Sequence, residues 1–127
     1  MEAITTEIME REERKERFKK RTRQRNKIER DLLNQLGEQQ NNSHYKSLIK
    51  DYLFMWDTIE ELKIDIEERG VSVYWQNGEN QFGYKKNDSV REMTTVNNQM
   101  LKILNDLGLD PVQLVEEDDD DEEETLL

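Results

Sequence analysis

The side chains best suited to chemistry are the cations of one short run near the start of the chain. Residues 14–30 contain ten basic and two acidic side chains, so this run carries a charge of +8 in a chain whose net charge is −11. Lysine and arginine bind nucleic-acid phosphates and release condensed counterions as they do so. The run therefore predicts a DNA-binding site made of Arg14, Lys15, Arg17, Lys19, Lys20, Arg21, Arg23, Arg25 and Lys27.

These cations surround a predicted helix, which favours contact with the phosphate backbone over the reading of base edges. The alternative is a solvated helix held by its own ion pairs. Glu13/Arg17 and Glu16/Lys20 have the acid four residues before the base, the favourable order for such pairs. Lys85 and Lys86 form a smaller basic site beside a predicted hairpin, where they bind DNA as well or only keep the surface soluble.

Catalytic chemistry finds little support in the sequence. The single histidine, His44, lies at a predicted helix start, where a structural or solvated role is commoner than catalysis. There is no cysteine, and no glycine-rich loop ends in Lys-Ser or Lys-Thr. Asp57, Glu61 and Asp65 recur every four residues and could hold a hard cation in a metal-dependent enzyme, but a solvated helix face explains them more simply. We therefore expect no enzyme activity, no metal and no cofactor.

Three predicted helices position these groups. The first covers residues 5–36, lacks Pro and Gly, and has an apolar face only near its end. The second starts at Ser43, its predicted N-cap, and ends at Gly70. The third starts at Ser89 and ends at Gly108. Each of these glycines follows the end of an apolar pattern, where a residue with positive φ closes a helix.

A β-hairpin is predicted at residues 71–84, between the second and third helices. Asn77-Gly78 is typical of a two-residue type I′ turn. Such a turn places five apolar or aromatic side chains on one face, by pairing Val71 with Tyr84, Val73 with Phe82 and Trp75 with Asn80. An isolated two-stranded hairpin is only marginally stable, so this face should pack on a helix or on a neighbouring subunit.

Composition indicates that identical chains associate. Only 33% of the 127 residues are hydrophobic and 39% are charged, so one chain has little apolar surface with which to offset its conformational entropy. A shared interface would supply that surface, and its predicted residues are Phe54, Trp56, Trp75 and Phe82. The predicted organisation is a basic N-terminal helix at 1–37, a helical oligomerisation core at 38–111 and an acidic tail at 112–127.

The sequence gives no sign of a membrane or secretory segment. The longest uninterrupted apolar run, residues 52–56, is too short to cross a bilayer, and the N-terminus lacks an apolar signal core. We expect a soluble cytoplasmic protein.

The acidic tail is the second strongly charged part of the chain. Residues 110–127 carry ten acids and no base, and nine of these acids are consecutive from Glu116 to Glu124. Such a run should be disordered when free. Three roles remain open for it: docking on a basic surface of a partner, competing with DNA for residues 14–30, or only keeping the protein soluble.

Three short motifs follow one another along the predicted core. They are Glu68-Arg69-Gly70, Lys85-Lys86-Asn87 and Leu107-Gly108-Leu109-Asp110-Pro111. In this order they resemble one of the phage terminase small-subunit families, which has a Glu-Arg-Gly-like corner, then Lys-x-Asn-Pro, then Leu-Gly-Leu-Thr-Pro. This chain has Asp88 in place of the first proline and Asp110 in place of the threonine.

The resemblance implies a mainly α fold in which long antiparallel helices and a short β-hairpin assemble into a homo-oligomeric ring. It implies a non-catalytic protein of the host cytoplasm, not expected in the mature virion, that binds viral double-stranded DNA. It further implies delivery of that DNA to the large terminase subunit and regulation of its ATPase and nuclease. The tail would contact the large subunit through Glu116, Glu117, Asp118, Asp119, Asp120, Asp121, Leu126 and Leu127.

One alternative needs no nucleic acid. The chain could be a helical homo-oligomeric scaffold or interaction protein, in which the basic helix and the acidic tail pair with each other. Salt dependence distinguishes the two hypotheses, because phosphate binding weakens steeply with salt whereas an apolar assembly persists.

Overall fold

The computed structural model of the chain describes residues 2–109. Helix α1 covers Glu2–Leu36, and a 3-10 turn at Gly37–Asn41 leads into helix α2, Ser43–Arg69. Strands β1, Ser72–Gln76, and β2, Phe82–Lys86, form an antiparallel hairpin, and helix α3 covers Asp88–Asp106. The predicted mainly helical fold with one hairpin is confirmed. The acidic tail, predicted to be disordered, lies outside the described residues.

The apolar core lies at one end of the molecule, where α1 turns back into α2. Its buried side chains come from all three helices and from the residues after α3: Leu32, Leu36, Ile49, Leu53, Ile103, Leu104, Leu107 and Leu109. These positions are the apolar stripes of α1 and α2 near their connection and of α3 near its end. Both α1 and α3 therefore run antiparallel to α2.

Helix α1 extends well away from this core. Its 35 residues make it about 52 Å long at 1.5 Å per residue. Residues 3–20 are all exposed, whereas Leu32 is completely buried. The first half of α1 has no apolar stripe to bury, so packing holds only its last turns in place.

The hairpin register differs from the prediction. Trp75 lies opposite Gly83 and Tyr74 opposite Tyr84, three residues away from the predicted pairing. A type I′ turn needs positive φ at both central residues, but among the described residues only glycines have positive φ, so Asn77 does not supply it. Instead, the Asn77 N–H donates to the Gln81 carbonyl at 2.7 Å and closes a longer loop.

The odd register shift separates the aromatic side chains that were predicted to share one face. Val73 is buried on one side of the hairpin, and Trp75 on that side lies against Gly83, where an added Cβ would come 3.4 Å from the indole Nε1. Tyr74 and Tyr84 lie on the other side and contact each other edge to face at 5.7 Å. The prediction of five apolar side chains on one face is therefore wrong.

Asparagine, and not the serine that was predicted, caps both of the later helices. The Asn42 side chain accepts hydrogen bonds from the backbone N–H groups of His44 and Tyr45 and caps α2. The Asn87 side chain accepts from the N–H of Ser89 and caps α3. Ser89 cannot serve as the cap because it already lies inside the helix, where its hydroxyl donates to Asp65 at 2.6 Å.

Asp65 lies at the junction of α2, the hairpin and α3, and its hydrogen bonds connect these elements. Its carboxylate accepts two hydrogen bonds from Arg69, at 2.6 and 2.8 Å, one from Asn87 at 3.0 Å and one from Ser89. We call these four residues the Asp65 cluster. Asn87 is 1% exposed and also donates to the carbonyl of Gly70, whose φ of 81° ends α2 as expected. The cluster therefore brings Arg69, Gly70 and Asn87 of two predicted motifs together.

The hydrogen bonds to Asp65 also change its acidity. Donation from Arg69, then from Ser89 and Asn87, holds the pKa of the Asp65 carboxyl far below its usual value of 3.8. The same contact with Asp65 raises the pKa of the Arg69 guanidinium above its usual value. The cluster is therefore built around an ionised aspartate.

Replacing Asn87 with alanine should destabilise the fold by about 1–3 kcal/mol, because it removes a helix cap and leaves buried partners unpaired. Urea unfolding at one fixed protein concentration measures the change. Asn77→Ala in the exposed hairpin loop is the matched control, with an expected change within about 0.5 kcal/mol. Equal stabilities of the two variants would contradict the role assigned to Asn87.

Acid should selectively remove the stability that Asp65 contributes. Because the folded pKa lies below the unfolded one, this contribution is complete above the ordinary carboxyl pKa of 3.8 and declines as pH falls below it. The stability advantage of the natural chain over Asp65→Asn should therefore be constant between pH 7 and pH 5 and smaller at pH 3. The comparison cancels the other carboxylates, which both proteins share. An advantage that did not change with pH would count against an ionised Asp65.

Candidate nucleic-acid interface

Two of the α1 cations predicted to bind DNA face α2 instead of solvent. The Arg21 guanidinium lies 2.6 Å from Glu61, and Arg25 Nε lies 3.0 Å from Asp57. The Arg25 contact is an ion pair without the alignment of a hydrogen bond, since Nε is buried and has no hydrogen-bond partner. These four residues form a polar seam that continues the α1–α2 contact beyond the apolar core.

The polar seam holds α1 weakly. The side chains of Arg25 and Asp57 are 39% and 38% exposed and that of Glu61 is 63% exposed, and ion pairs with this exposure contribute roughly 0–1 kcal/mol. Phe18 and Phe54 border a cleft of about 380 Å³ along the seam and stay mostly exposed. The middle of α1 is thus docked on α2 by screened charges and not by a shared apolar core.

A second set of α1 cations lies away from the apolar core, although Lys20 also borders a cleft with Glu60 and Glu67 of α2. Lys20, Arg23, Lys27 and Arg30 are separated by three, four and three residues, which places them on one helix face. Leu32 and Leu36, which mark the buried side of α1, lie on the opposite side of the helix. Arg23 and Arg30 border a shallow groove together with Asn26, Glu29 and Leu33. We call Lys20, Arg23, Lys27 and Arg30 the outer basic face.

The predicted basic run extended to Arg30, but the α1 residues named as DNA-binding ended at Lys27. The signal that identifies Arg30 is the spacing of the outer basic face, which becomes meaningful once the buried side of α1 is known. Arg11 was missed as well. It borders a second groove with the predicted residues Arg14, Lys15 and Lys19 on the projecting part of α1.

Most of these outward cations form no salt bridge with any residue of the described range 2–109. This holds for Arg14, Lys15, Arg17, Lys20, Arg23 and Arg30, all of them exposed. Lys19 approaches Glu16 only at 4.0 Å. The intrahelical pairs Glu13/Arg17 and Glu16/Lys20, which the alternative interpretation needs, are not formed. These six charges are thus available to an external anion.

Comparison with protein families identifies the family of this chain. The family described as phage terminase, small subunit, matches residues 26–116. The chain belongs to the phage terminase small-subunit family. No curated protein and no solved structure matches it significantly. The family points to a role in phage DNA packaging, and terminase small subunits are generally non-catalytic.

The match to the terminase family includes only the last part of α1. It begins at residue 26 and so covers Lys27, Arg30, the whole of α2, the hairpin and α3. Residues 1–25, with most of the predicted DNA-binding cations, precede it. The family therefore accounts for the core and the Asp65 cluster, whereas the charge of the projecting helix is a feature read from this chain.

The other predicted site residues are distributed over the fold. Lys85 and Lys86 lie within β2, not after the hairpin, and successive strand residues point to opposite faces. The carboxylates of α2 that might have bound a hard cation contact arginines, and residues 2–109 contain no group of three possible metal ligands. Within the same range no helix is long and apolar enough to cross a membrane.

Aromatic side chains predicted at an oligomer interface are accessible in the single chain. Phe54 is 72% exposed and Phe82 59%, while Trp75 is 39% exposed and Trp56 is half-buried. Tyr84, which was not predicted there, is even more exposed than these, at 77%. The residues predicted to bind the large subunit, 116–127, lie outside the described range.

Proposed function

We propose that this chain is the DNA-recognition subunit of a phage packaging machine. It binds viral double-stranded DNA through α1, recruits it to the large terminase subunit and regulates the ATPase and nuclease of that subunit without catalysing a reaction itself. The observation that carries the proposal is the combination of a terminase small-subunit core with a projecting helix of exposed cations.

Phosphate contact is the role best suited to the outer basic face. Lys20, Arg23 and Arg30 are exposed, and the face extends along about 15 Å of helix from Lys20 to Arg30. Arg14, Lys15 and Arg17 continue the positive charge toward the start of α1. Such an array gains affinity from counterion release and carries no base specificity of its own. Lys85 and Lys86 add a second, smaller contact in the same proposal.

A ring of identical subunits is the proposed assembly. The described chain leaves Phe54, Phe82 and Tyr84 largely in solvent, and its two-stranded hairpin would gain stability from a neighbour. A contact between two different surfaces of each subunit closes into a ring when the rotation permits it. The predicted interface residues Phe54, Trp56, Trp75 and Phe82 remain the proposed ones.

The acidic tail is the proposed contact with the large subunit. Glu116, Glu117 and Asp118–Asp121 would meet a basic surface of the motor, and Leu126 and Leu127 would supply an apolar anchor. The proposed site of action is the host cytoplasm during genome packaging.

The polar seam favours one competing function. Because Arg21 and Arg25 already pair with acids of α2, the basic helix could serve only to hold subunits together in a scaffold without nucleic acid. The two functions differ in which cations matter: a scaffold depends on the seam, and DNA binding depends on the outer basic face.

Two double variants with the same loss of charge separate these functions. Lys20→Gln with Arg23→Gln should weaken binding to a DNA duplex by about tenfold and lower the slope of log affinity against log salt by about two, because two phosphate contacts are lost. Arg21→Gln with Arg25→Gln removes the same charge from the seam and should change both quantities less. Fluorescence anisotropy over a salt series measures them.

Equal losses in the two double variants would show that only net charge matters and would contradict a specific outer face. If the unaltered chain does not bind DNA at any salt concentration, the scaffold becomes the better account.

Phe82→Ser should weaken the oligomer, because an aromatic anchor at an interface commonly contributes more than about 1.4 kcal/mol, or tenfold in dissociation constant. Native mass spectrometry over a dilution series measures the shift. Phe18→Ser, at a similarly exposed phenylalanine on projecting α1, is the control and should leave assembly unchanged. Identical dissociation of both variants would remove Phe82 from the interface.

A further inference from the structure

The chain leaves its described part beside the basic helix. Leu109, the last described residue, is 8% exposed and belongs to the same core cluster as Leu32 and Leu36 of α1. Arg30 lies within one helical turn of Leu32. The chain after residue 109 therefore starts at the level of Arg30 on the buried side of α1, and it must pass about half-way around the helix, roughly 16–19 Å for a diameter of 10–12 Å, to reach the outer basic face.

The length of chain after Leu109 suits that face. Six residues separate Leu109 from Glu116 and can span about 20 Å at roughly 3.4 Å per extended residue. The nine acids of residues 116–124 can then cover about 30 Å when extended. From Leu32 back to Arg14, α1 rises about 27 Å. The acidic run is thus long enough to lie along the whole basic segment.

The acidic segment and a strand of B-DNA also match in the spacing of their charges. An extended peptide of consecutive acids presents one negative charge about every 3.4 Å, and one strand of B-DNA presents its phosphates at the same interval along the axis. Three cations of the outer basic face, Lys20, Arg23 and Arg30, are exposed and form no salt bridge within residues 2–109. Asp57 and Glu61 of α2 contact the opposite side of α1, and among the outer cations only Lys20 borders a cleft with acids of α2, Glu60 and Glu67.

We propose that the acidic segment, residues 116–124, binds the outer basic face of α1 in the same chain and competes there with DNA. The tether makes the contact intramolecular, with an effective concentration of the order of millimolar, so only a polyanion of high charge density displaces the segment. A large subunit that captured the segment would free α1 for DNA. The competition rests on the proposed DNA binding, whereas the contact itself does not.

Chemical cross-linking tests the contact without DNA. The chain has no cysteine, so Asn26→Cys beside Arg23 and Thr125→Cys after the acids introduce a single pair without changing charge. A short bismaleimide should link them within one chain at low salt, and high salt or added duplex should abolish the link. Asn97→Cys with Thr125→Cys is the control, since Asn97 is exposed on α3. Equal yields in the two pairs, or links only between chains, would overturn the proposal.

DNA affinity tests the competition. Replacing the nine acids with their amides in the full chain should raise duplex affinity about tenfold at low salt, and this difference should shrink as salt increases. Equal affinity with and without the acids would overturn the competition and leave the proposed DNA binding intact. Absence of DNA binding in both proteins would overturn the proposed function, and the cross-link would still decide whether the segment contacts α1.

Discussion

The carboxylate of Asp65 accepts four hydrogen bonds at the point where α2 ends and α3 begins. Its partner Asn87 is buried with every polar site of its amide satisfied: the nitrogen donates to Asp65 and Gly70, and the oxygen accepts from Ser89 and Arg69. A buried amide with four fixed partners tolerates few other positions. The hairpin, which could not stand alone, is thereby held between two helices.

The stability of α1 falls along its length, and its proposed function lies at the weaker end. Leu32 and Leu36 bury apolar surface, Arg25 and Arg21 contribute only screened ion pairs, and residues 3–20 are exposed. Burial and phosphate binding make opposite demands, because a cation that meets DNA must keep its charge in solvent. A helix that is anchored at one end and charged at the other satisfies both demands.

The contacts of such a helix can also be regulated by other charged groups. The acids of α2 contact one face of α1, and the proposed partners, DNA and the acidic segment, would bind another. Each contact is electrostatic and hence sensitive to salt. Such contacts exchange readily, which suits the proposed transfer of DNA to the large subunit.

Much of this architecture could be predicted from sequence. Each error came from applying a local rule, either for turns or for helix caps. Helix boundaries followed from apolar periodicity and from Gly70 and Gly108, which have positive φ as expected. The hairpin was located correctly, but its register was wrong because Asn77-Gly78 was assumed to form the tightest turn. Asn42 and Asn87 were overlooked as caps because the serines beside them satisfied the same local rule.

The sequence by itself determined the charge asymmetry, the helical content and the ordered motifs that resemble the terminase family, since each depends on residues close together in the chain. Only the tertiary structure decided which cations remain available. Arg21 meets Glu61 across forty positions, whereas Arg23, two residues further along, faces solvent. The physical reason is that a helix turns 100° per residue, so the neighbour it packs on, and not its composition, assigns each charge to a partner or to solvent.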